Sequence, residues 1–358
     1  MTGRVFVIAE AGVNHDGSLD DARRMIDVAA DAGADAVKFQ TFQAEQLVTP
    51  RAGKAAYQAR NTGEDGGQLA MLKALELAQD DHRGLAGHAA ARGVRFMSTA
   101  FDLDSLAFLS ALDMPAIKIP SGDLTWGAML LAAARLDRPL IVSTGMADLD
   151  EIRAALSVIA FGLTRTETPA SRADLAAAFD SPEGQERLRE CVTLLHCTTE
   201  YPAPLAAVNL RAMDVMAETF GLPVGYSDHT LGTSVAIAAV ARGATVIEKH
   251  FTLDRARPGP DHAASLEPAE LAAMIAAIRE VEIALGRAAK TPAPEELANR
   301  SIARRSLVAA RPIAAGETLS LDNLTAKRPA DGVSPMDVWP MLGRAATRAY
   351  ETDEAIEL

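Results

Sequence analysis

The sequence predicts a closed (β/α)8 TIM barrel followed by a small β-rich C-terminal domain. Three observations carry this expectation. Eight short runs rich in Val, Ile, Leu and Phe recur through the first 250 or so residues. Ala/Leu-rich stretches of helical period separate most of them, and polar residues stand at the C-terminal end of every run. Near-continuous apolar strands alternating with helices indicate a parallel sheet covered on both faces, and eight of them allow it to close. An open doubly wound sheet is the rival. It usually carries a GxGxxG turn after an early strand, and "EAGVNHDG" is not one.

In chain order the runs are "VFVIAEAG", "DAVKFQTF", "VRFMSTAF", "AIKIPSGD", "PLIVSTGM", "VTLLHCTTEY", "LPVGYSDHT" and "TVIEKHFTL". In "AADAGADAVKFQ", "AAARGVRFMST" and "AVARGATVIEKH" a helical stretch ends in Gly just before a run, as a left-handed helix cap would. The runs end in Glu10, Lys38 and Gln40, Ser98 and Thr99, Lys118 and Ser121, Ser143, His196 and Tyr201, Asp228 and His229, and Glu248 and His250. In a barrel these are the C-terminal strand ends, where active sites sit. Two excursions interrupt the pattern. Residues 42–68, with "YQARNTGEDGG", are expected to form a flap over the mouth, and residues 160–190 a helical insertion. The expected organisation is a barrel over 1–286, a Pro/Ala linker over 287–300 and a β-rich domain over 301–358.

Composition narrows the function. The net charge of −13 argues against nucleic acid or an anionic membrane as the main partner, so an anionic substrate needs a locally basic pocket. No apolar run reaches the length of a membrane span, no signal-peptide pattern opens the chain, and two cysteines make no disulfide framework. A cytoplasmic location is expected.

The chemistry of the strand ends points to a site. His229 and His250 end adjacent strands and can reach one divalent ion, the alternative being two hydrogen-bonding histidines. Lys38 and Lys118 are embedded in apolar runs, where a buried charge demands a counter-ion, and a substrate phosphate or carboxylate supplies one. Thr99, Ser121, Ser143 and Ser227 offer hydroxyl donors. Glu10 is a candidate base, with simple neutralisation of Lys38 as the alternative. Glu248 shares a face with His250 and is expected to support the metal site or pair with a lysine, while Lys249 points the other way. Cys197 cannot pair with His196 because adjacent strand residues face opposite sides, and it is expected in the core.

The motifs "IAEAGVNHDGS", "AVKFQTF", "IKIPSGD", "STGM", "LLHCTTEYP", "YSDHT", "IEKHFTL" and "PGPDH" occur in order along the chain. Through them the chain resembles the sialic acid synthase family, and "GETLSLDNLTAKRP" resembles the antifreeze-like (SAF) domain of the same enzymes. The resemblance implies condensation of phosphoenolpyruvate, an open-chain N-acetylated amino sugar and water to a nine-carbon sialic acid, with phosphate lost by C–O cleavage. It implies Mn2+, with Mg2+ or Co2+ as alternatives, on His229 and His250, and Glu10, His250 and Asp261 as catalytic groups. It adds Asn61 to the phosphoenolpyruvate contacts, and assigns Gln40, Thr199, Tyr201, Asp261 and Arg328 to the sugar. Arg328 is expected to act in the partner's site of a domain-swapped homodimer. N-acetylmannosamine, giving N-acetylneuraminate, is the expected sugar. The alternative is 2,4-diacetamido-2,4,6-trideoxymannose, giving N,N'-diacetyllegionaminate. Two departures from the family pattern are Ala100 where proline is common and a long insertion before "CVTLLHC". A Schiff-base pyruvate aldolase using Lys38 or Lys118, and a binding protein whose small domain takes ice or a partner, are the competing classes.

Overall fold

The computed structural model describes residues 4–62 and 67–357. Eight parallel strands close into a barrel: β1 Phe6–Gly12, β2 Ala36–Thr41, β3 Arg95–Ala100, β4 Ile117–Ile119, β5 Leu140–Ser143, β6 Val192–Cys197, β7 Val224–Asp228 and β8 Val246–His250. Each expected run supplies one strand, in order, and β8 pairs with β1 to complete the ring. The turn glycines Gly33, Gly93 and Gly243 adopt positive φ, as the helix-to-strand punctuation predicts.

Helix starts follow local capping chemistry. Ser18 accepts a hydrogen bond from the Asp21 amide at the start of Leu19–Asp31. Asp148 and Glu151 cap Leu149–Thr164 reciprocally. The insertion before β6 is helical, with Arg172–Asp180 and Pro182–Cys191 capped by Ser171 and Ser181. The excursion after β2 folds into the short helices Ala44–Leu47, Ala56–Thr62 and Gln68–Leu75 over a satellite apolar cluster that includes Val13, Phe42 and Leu72. The "GEDG" part of the expected flap lies outside the described residues.

Strand periodicity sorts the barrel interior into layers. Ile8, Ala36, Met97, Ala116, Ile141, Leu195 and Val246 form an apolar plug. Two residues further along each strand, on the same face, come Glu10, Lys38, Thr99, Lys118, Ser143, Cys197 and Glu248. The plug is why the polar layer is dry on one side and open on the other. The outward face of the strands packs under the helices in the main core.

The chain divides into two compact units, Met1–Gly286 and Arg287–Leu358. Residues 287–300, expected as a linker, instead contribute most of a helix, Pro294–Ala303. Pro294 suits its first turn, Glu295 and Glu296 favour its N-terminus, and Glu296 Oε2 accepts from the Ala293 amide at 2.8 Å. The second unit pairs β9 Ser306–Ala309 with β10 Leu324–Lys327 antiparallel, over a small core including Leu307, Ile313, Leu324 and Tyr350. Among the described residues no helix is long and apolar enough to cross a membrane.

Gly225 is the β7 residue level with the plug. A Cβ there would lie 2.4 Å from Val246 O and 2.6 Å from Leu195 Cδ2. Gly225→Ala is therefore expected to destabilise the barrel by about 1–3 kcal/mol in urea titration, since the Val246 backbone cannot yield without disturbing the ring and the Leu195 side chain is packed in the plug. A variant with wild-type midpoint would refute that packing.

Candidate active site

A cavity of about 470 Å³ opens at the C-terminal ends of the barrel strands. Its floor is an ionic layer. Lys38 Nζ lies 2.5 Å from Glu10 Oε2 and 3.5 Å from Glu248 Oε2, and donates to Thr99 Oγ1 at 2.9 Å. Lys118 Nζ lies 3.6 Å from Glu248 Oε1 and donates to Ser143 Oγ at 2.8 Å. All four charged side chains are buried. Glu248, expected either to support the metal site or to pair with a lysine, lies at the centre of this layer between both lysines and accepts from Ser227 Oγ at 2.8 Å.

The two carboxylates titrate apart. Burial raises both, but Lys118 and Lys38 together overcome it at Glu248 and hold that carboxyl down at about 2. Glu10 shares Lys38 with an already charged Glu248, so burial and that repulsion push it up to about 7. Burial alone would lower Lys38, yet Glu10 and Glu248 keep it charged and raise it. Lys118, with burial dominant and only one near carboxylate, is lowered. The counter-ions demanded by the two lysines are thus the chain's own glutamates, and neutralisation of Lys38 by Glu10 is realised in the geometry.

Above this layer stand the imidazoles. His229 Nδ1 donates to Thr198 O at 2.7 Å, which fixes the tautomer and leaves a lone pair on Nε2. Ser227 Oγ is 3.3 Å from that Nε2 but commits its proton to Glu248. His250 Nδ1 is buried with no hydrogen-bond partner, 4.0 Å from Asp261 Oδ2. The ring centroids are 5.7 Å apart. Burial holds His229 near 4 and His250 well below its ordinary value, so both rings are neutral and able to donate a lone pair. Tyr201 stacks on His229 at 4.1 Å and meets His250 edge-on. Gly12, at φ +54°, lets the chain pass over His250: a Cβ there would lie 3.2 Å from Cε1. Two neutral imidazoles with unsatisfied nitrogens fit a divalent ion that keeps open positions. Among the described residues no group of three or more His, Cys, Asp or Glu converges to hold one.

Gln40, Ser121, Thr199 and Asp261 complete the predicted residues that line the cavity. Burial raises Asp261 to about 6. Ser121 Oγ accepts from the Gly145 amide at 3.0 Å, tying two strand-end turns together. Asn61 does not line the cavity; its amide donates to Pro260 O at 2.8 Å and steadies the turn that carries Asp261. Arg328 belongs to the second unit, exposed just past β10. Cys197, expected in the core, faces the cavity instead, with Sγ 3.2 Å from Ser121 Oγ. The two side chains do face opposite sides, but β6 turns His196 outward, onto Val208 O at 2.6 Å, and Cys197 inward. Burial pushes the thiol up, so it is no nucleophile.

Several lining residues escaped the sequence, Tyr57 and Asp123 among them. Tyr57, on Ala56–Thr62, packs against Tyr201 at 4.9 Å. Asp123, in "IPSGD", has a buried Oδ2 without a hydrogen-bond partner, and burial raises it to about 6. The position of Asp123 beside Ser121 in a strand-end turn was its available signal. Tyr57 had none.

A family model described as the NeuB family matches residues 25–290, and one described as the SAF domain matches residues 304–357. The N,N'-diacetyllegionaminic acid synthase of Campylobacter jejuni is 45% identical over 353 residues, covering 99% of each chain. The N-acetylneuraminate-9-phosphate synthase of Homo sapiens is 33% identical over 354 residues, covering 98% of this chain and 91% of that one. The crystal structure of N-acetylneuraminic acid (sialic acid) synthetase from Leptospira borgpetersenii, in complex with citrate, superposes with a TM-score of 0.67 at 32% identity. It covers 83% of this chain and 90% of its own.

The split carboxylates make a stability prediction. Unfolded, Glu10 releases its proton near 4.5; folded, it holds the proton up to about 7. The fold therefore binds more protons in that window, and this group's stabilisation is complete below 4.5 and lost as pH rises through 7. Asp261 acts in the same sense up to about 6, whereas Glu248 stabilises above 4.5 and loses that contribution as pH falls toward 2. Glu10→Gln is expected to flatten the fall in unfolding free energy between pH 4.5 and 7, measured by denaturant titration at each pH. An unchanged slope would contradict the assignment of Glu10 as the late-ionising member.

Proposed function

The chain belongs to the NeuB family and carries a SAF domain, and on that premise we propose that it condenses phosphoenolpyruvate with an N-acetylated amino sugar. The products are a nine-carbon sialic acid and phosphate. The observation that carries this reading is the dry ionic layer directly beneath two neutral imidazoles in one cavity.

With Glu10 protonated, two ammonium groups face one carboxylate, and the layer has a net positive charge for an anionic substrate. Lys38 and Lys118 hold the phosphate and carboxylate of phosphoenolpyruvate, and Thr99, Ser121, Ser143 and Ser227 orient them. Asn61 is kept as a phosphoenolpyruvate contact on the family resemblance alone. A divalent ion, Mn2+ by preference with Mg2+ or Co2+ as alternatives, would be held by His229 and His250 and supply Lewis-acid polarisation of the open-chain aldehyde. Asp261, Gln40, Thr199 and Tyr201 face the sugar, and Asp261 is poised near pH 6 to exchange a proton with its oxygens. C3 of phosphoenolpyruvate attacks the aldehyde carbon, and Glu248, ionised throughout, stabilises the cationic character that develops at C2. Glu10, once it has released to solvent the proton it holds below about 7, takes a proton in its ionised form from the water that adds at C2, and the tetrahedral carbon then expels phosphate with its bridging oxygen. Arg328 is proposed to contact the N-acyl group in the partner's site of a domain-swapped homodimer.

One observation favours the second sugar over N-acetylmannosamine. The described part of the excursion after β2 lines the cavity mostly with apolar side chains, Leu47, Val48, Met71, Leu72 and Leu75 beside Phe101, interrupted by Tyr57, Gln58 and Gln68. Such a wall suits 2,4-diacetamido-2,4,6-trideoxymannose, which has a methyl where N-acetylmannosamine has a hydroxymethyl, and the higher identity to a legionaminate synthase supports the same choice. The aldolase alternative needs a free neutral amine: Lys38 is kept charged by its glutamates, so Lys118, lowered by burial, is its one remaining candidate, and borohydride trapping of pyruvate there would favour that class.

Phosphate release should be faster with the diacetamido sugar by about tenfold or more in kcat/KM, the scale on which an apolar pocket separates such groups. Equal rates would remove the sugar preference. Phosphoenolpyruvate labelled with 18O in the bridging oxygen should deliver the label to phosphate; label left in the sialic acid would exclude C–O cleavage.

A further inference from the structure

We propose that the buried Asp228–Lys249 ion pair is a positioning device that sets the two imidazoles against each other from the opposite face of the sheet. The inference rests on the two-imidazole cation site proposed above.

Strands β7 and β8 pair in parallel, with Ser227 opposite Glu248 and Asp228 opposite Lys249. Side chains alternate between faces, so Ser227 and Glu248 point into the barrel and Asp228 and Lys249 point out of it. The next residues, His229 and His250, return to the cavity. The two histidines are not held alike. His250 ends β8 and is in register with Glu10 of β1. His229 lies one residue beyond the end of β7, outside the ladder. Its ring is oriented by Thr198 O, but that contact does not tie it to β8.

The outer face supplies the tie. Lys249 Nζ donates to Asp228 Oδ2 at 2.9 Å and also to Thr230 O. Asp228 Oδ1 accepts from Thr230 N at 2.9 Å and from Thr230 Oγ1 at 2.8 Å. The residues on both sides of His229 are thereby bonded to the neighbour of His250, and to each other. Asp228, Thr230 and Lys249 have no exposed surface, and none of them lines the cavity. A buried ion pair is a poor source of stability compared with apolar side chains of equal volume. What it supplies is directional geometry: three donors and three acceptors that fit in one register of β7 on β8.

The test uses the full chain as the double variant Asp228→Asn/Lys249→Met. Both charges leave together, Asn keeps an oxygen for Thr230, and Met keeps the apolar length of the lysine. The single Lys249→Met would strand a buried carboxylate and mix folding with positioning. Mn2+ binding to metal-stripped protein is measured by electron paramagnetic resonance, and phosphoenolpyruvate binding without metal by calorimetry. The expected result is about a tenfold or greater loss of Mn2+ affinity, the usual effect of removing support behind a metal ligand. Phosphoenolpyruvate affinity and cooperative unfolding should stay as in wild type. Unchanged Mn2+ affinity in the folded variant overturns the inference, as does an equal loss of both affinities, which marks general loosening. Wild-type protein that binds no Mn2+ overturns the two-imidazole site and the inference together, whereas binding by wild type and variant alike overturns only the inference. Should the double variant not unfold cooperatively, Thr230→Val removes one bond of the clamp and no charge. About a threefold loss of Mn2+ affinity is then expected, and no loss overturns the proposal.

Discussion

Two buried lysines and two buried glutamates share one layer inside the barrel, and everything at the mouth depends on their balance. Each ion forfeits several kcal/mol of hydration on burial, which the pairs recover only with good geometry. That geometry needs four strands in fixed register: Glu10 on β1, Lys38 on β2, Lys118 on β4 and Glu248 on β8. A closed ring supplies it, because no strand can slip without its two neighbours. The apolar plug below then bars water from one side and keeps the interactions strong.

The balance is deliberately incomplete in one respect. Glu248 touches both lysines and stays ionised, while Glu10 shares Lys38 and ionises late. A site built this way sets two buried ammonium groups beside a carboxyl that changes charge near neutrality. The imidazoles above are neutral for the opposite reason, since burial beside ammonium groups disfavours a further positive charge. Burial thus shapes both the ionic floor and the lone pairs that face it.

Strand alternation divides the labour further. Along Glu248, Lys249 and His250, successive side chains serve the ionic layer, the outer clamp and the cavity. Along Ser227, Asp228 and His229 the same order repeats. The excursion after β2 adds what strand ends cannot, an apolar wall with Tyr57 against Tyr201.

The barrel, its eight strands in order and nearly every polar group at its mouth are legible in the amino-acid sequence. Period-two alternation and helix-ending glycines are local signals, and barrel closure brings strand ends together whatever the loops do. The sequence did not determine who pairs with whom. Lys38 and Lys118 read as cations awaiting a substrate, with neutralisation by Glu10 and pairing by Glu248 as alternatives, and the closed ring decided between these, since ion pairing is set by distances across strands far apart in the chain. Alternation placed Cys197 and His196 on opposite faces, but not which of them looks inward; that follows from how β6 packs on its neighbours. Lys249 read as a bystander, because its bond to Asp228 lies between two strands on the face away from the cavity. The tertiary structure decided these, for the physical reason that burial and charge partners are properties of the assembled barrel and not of any one strand.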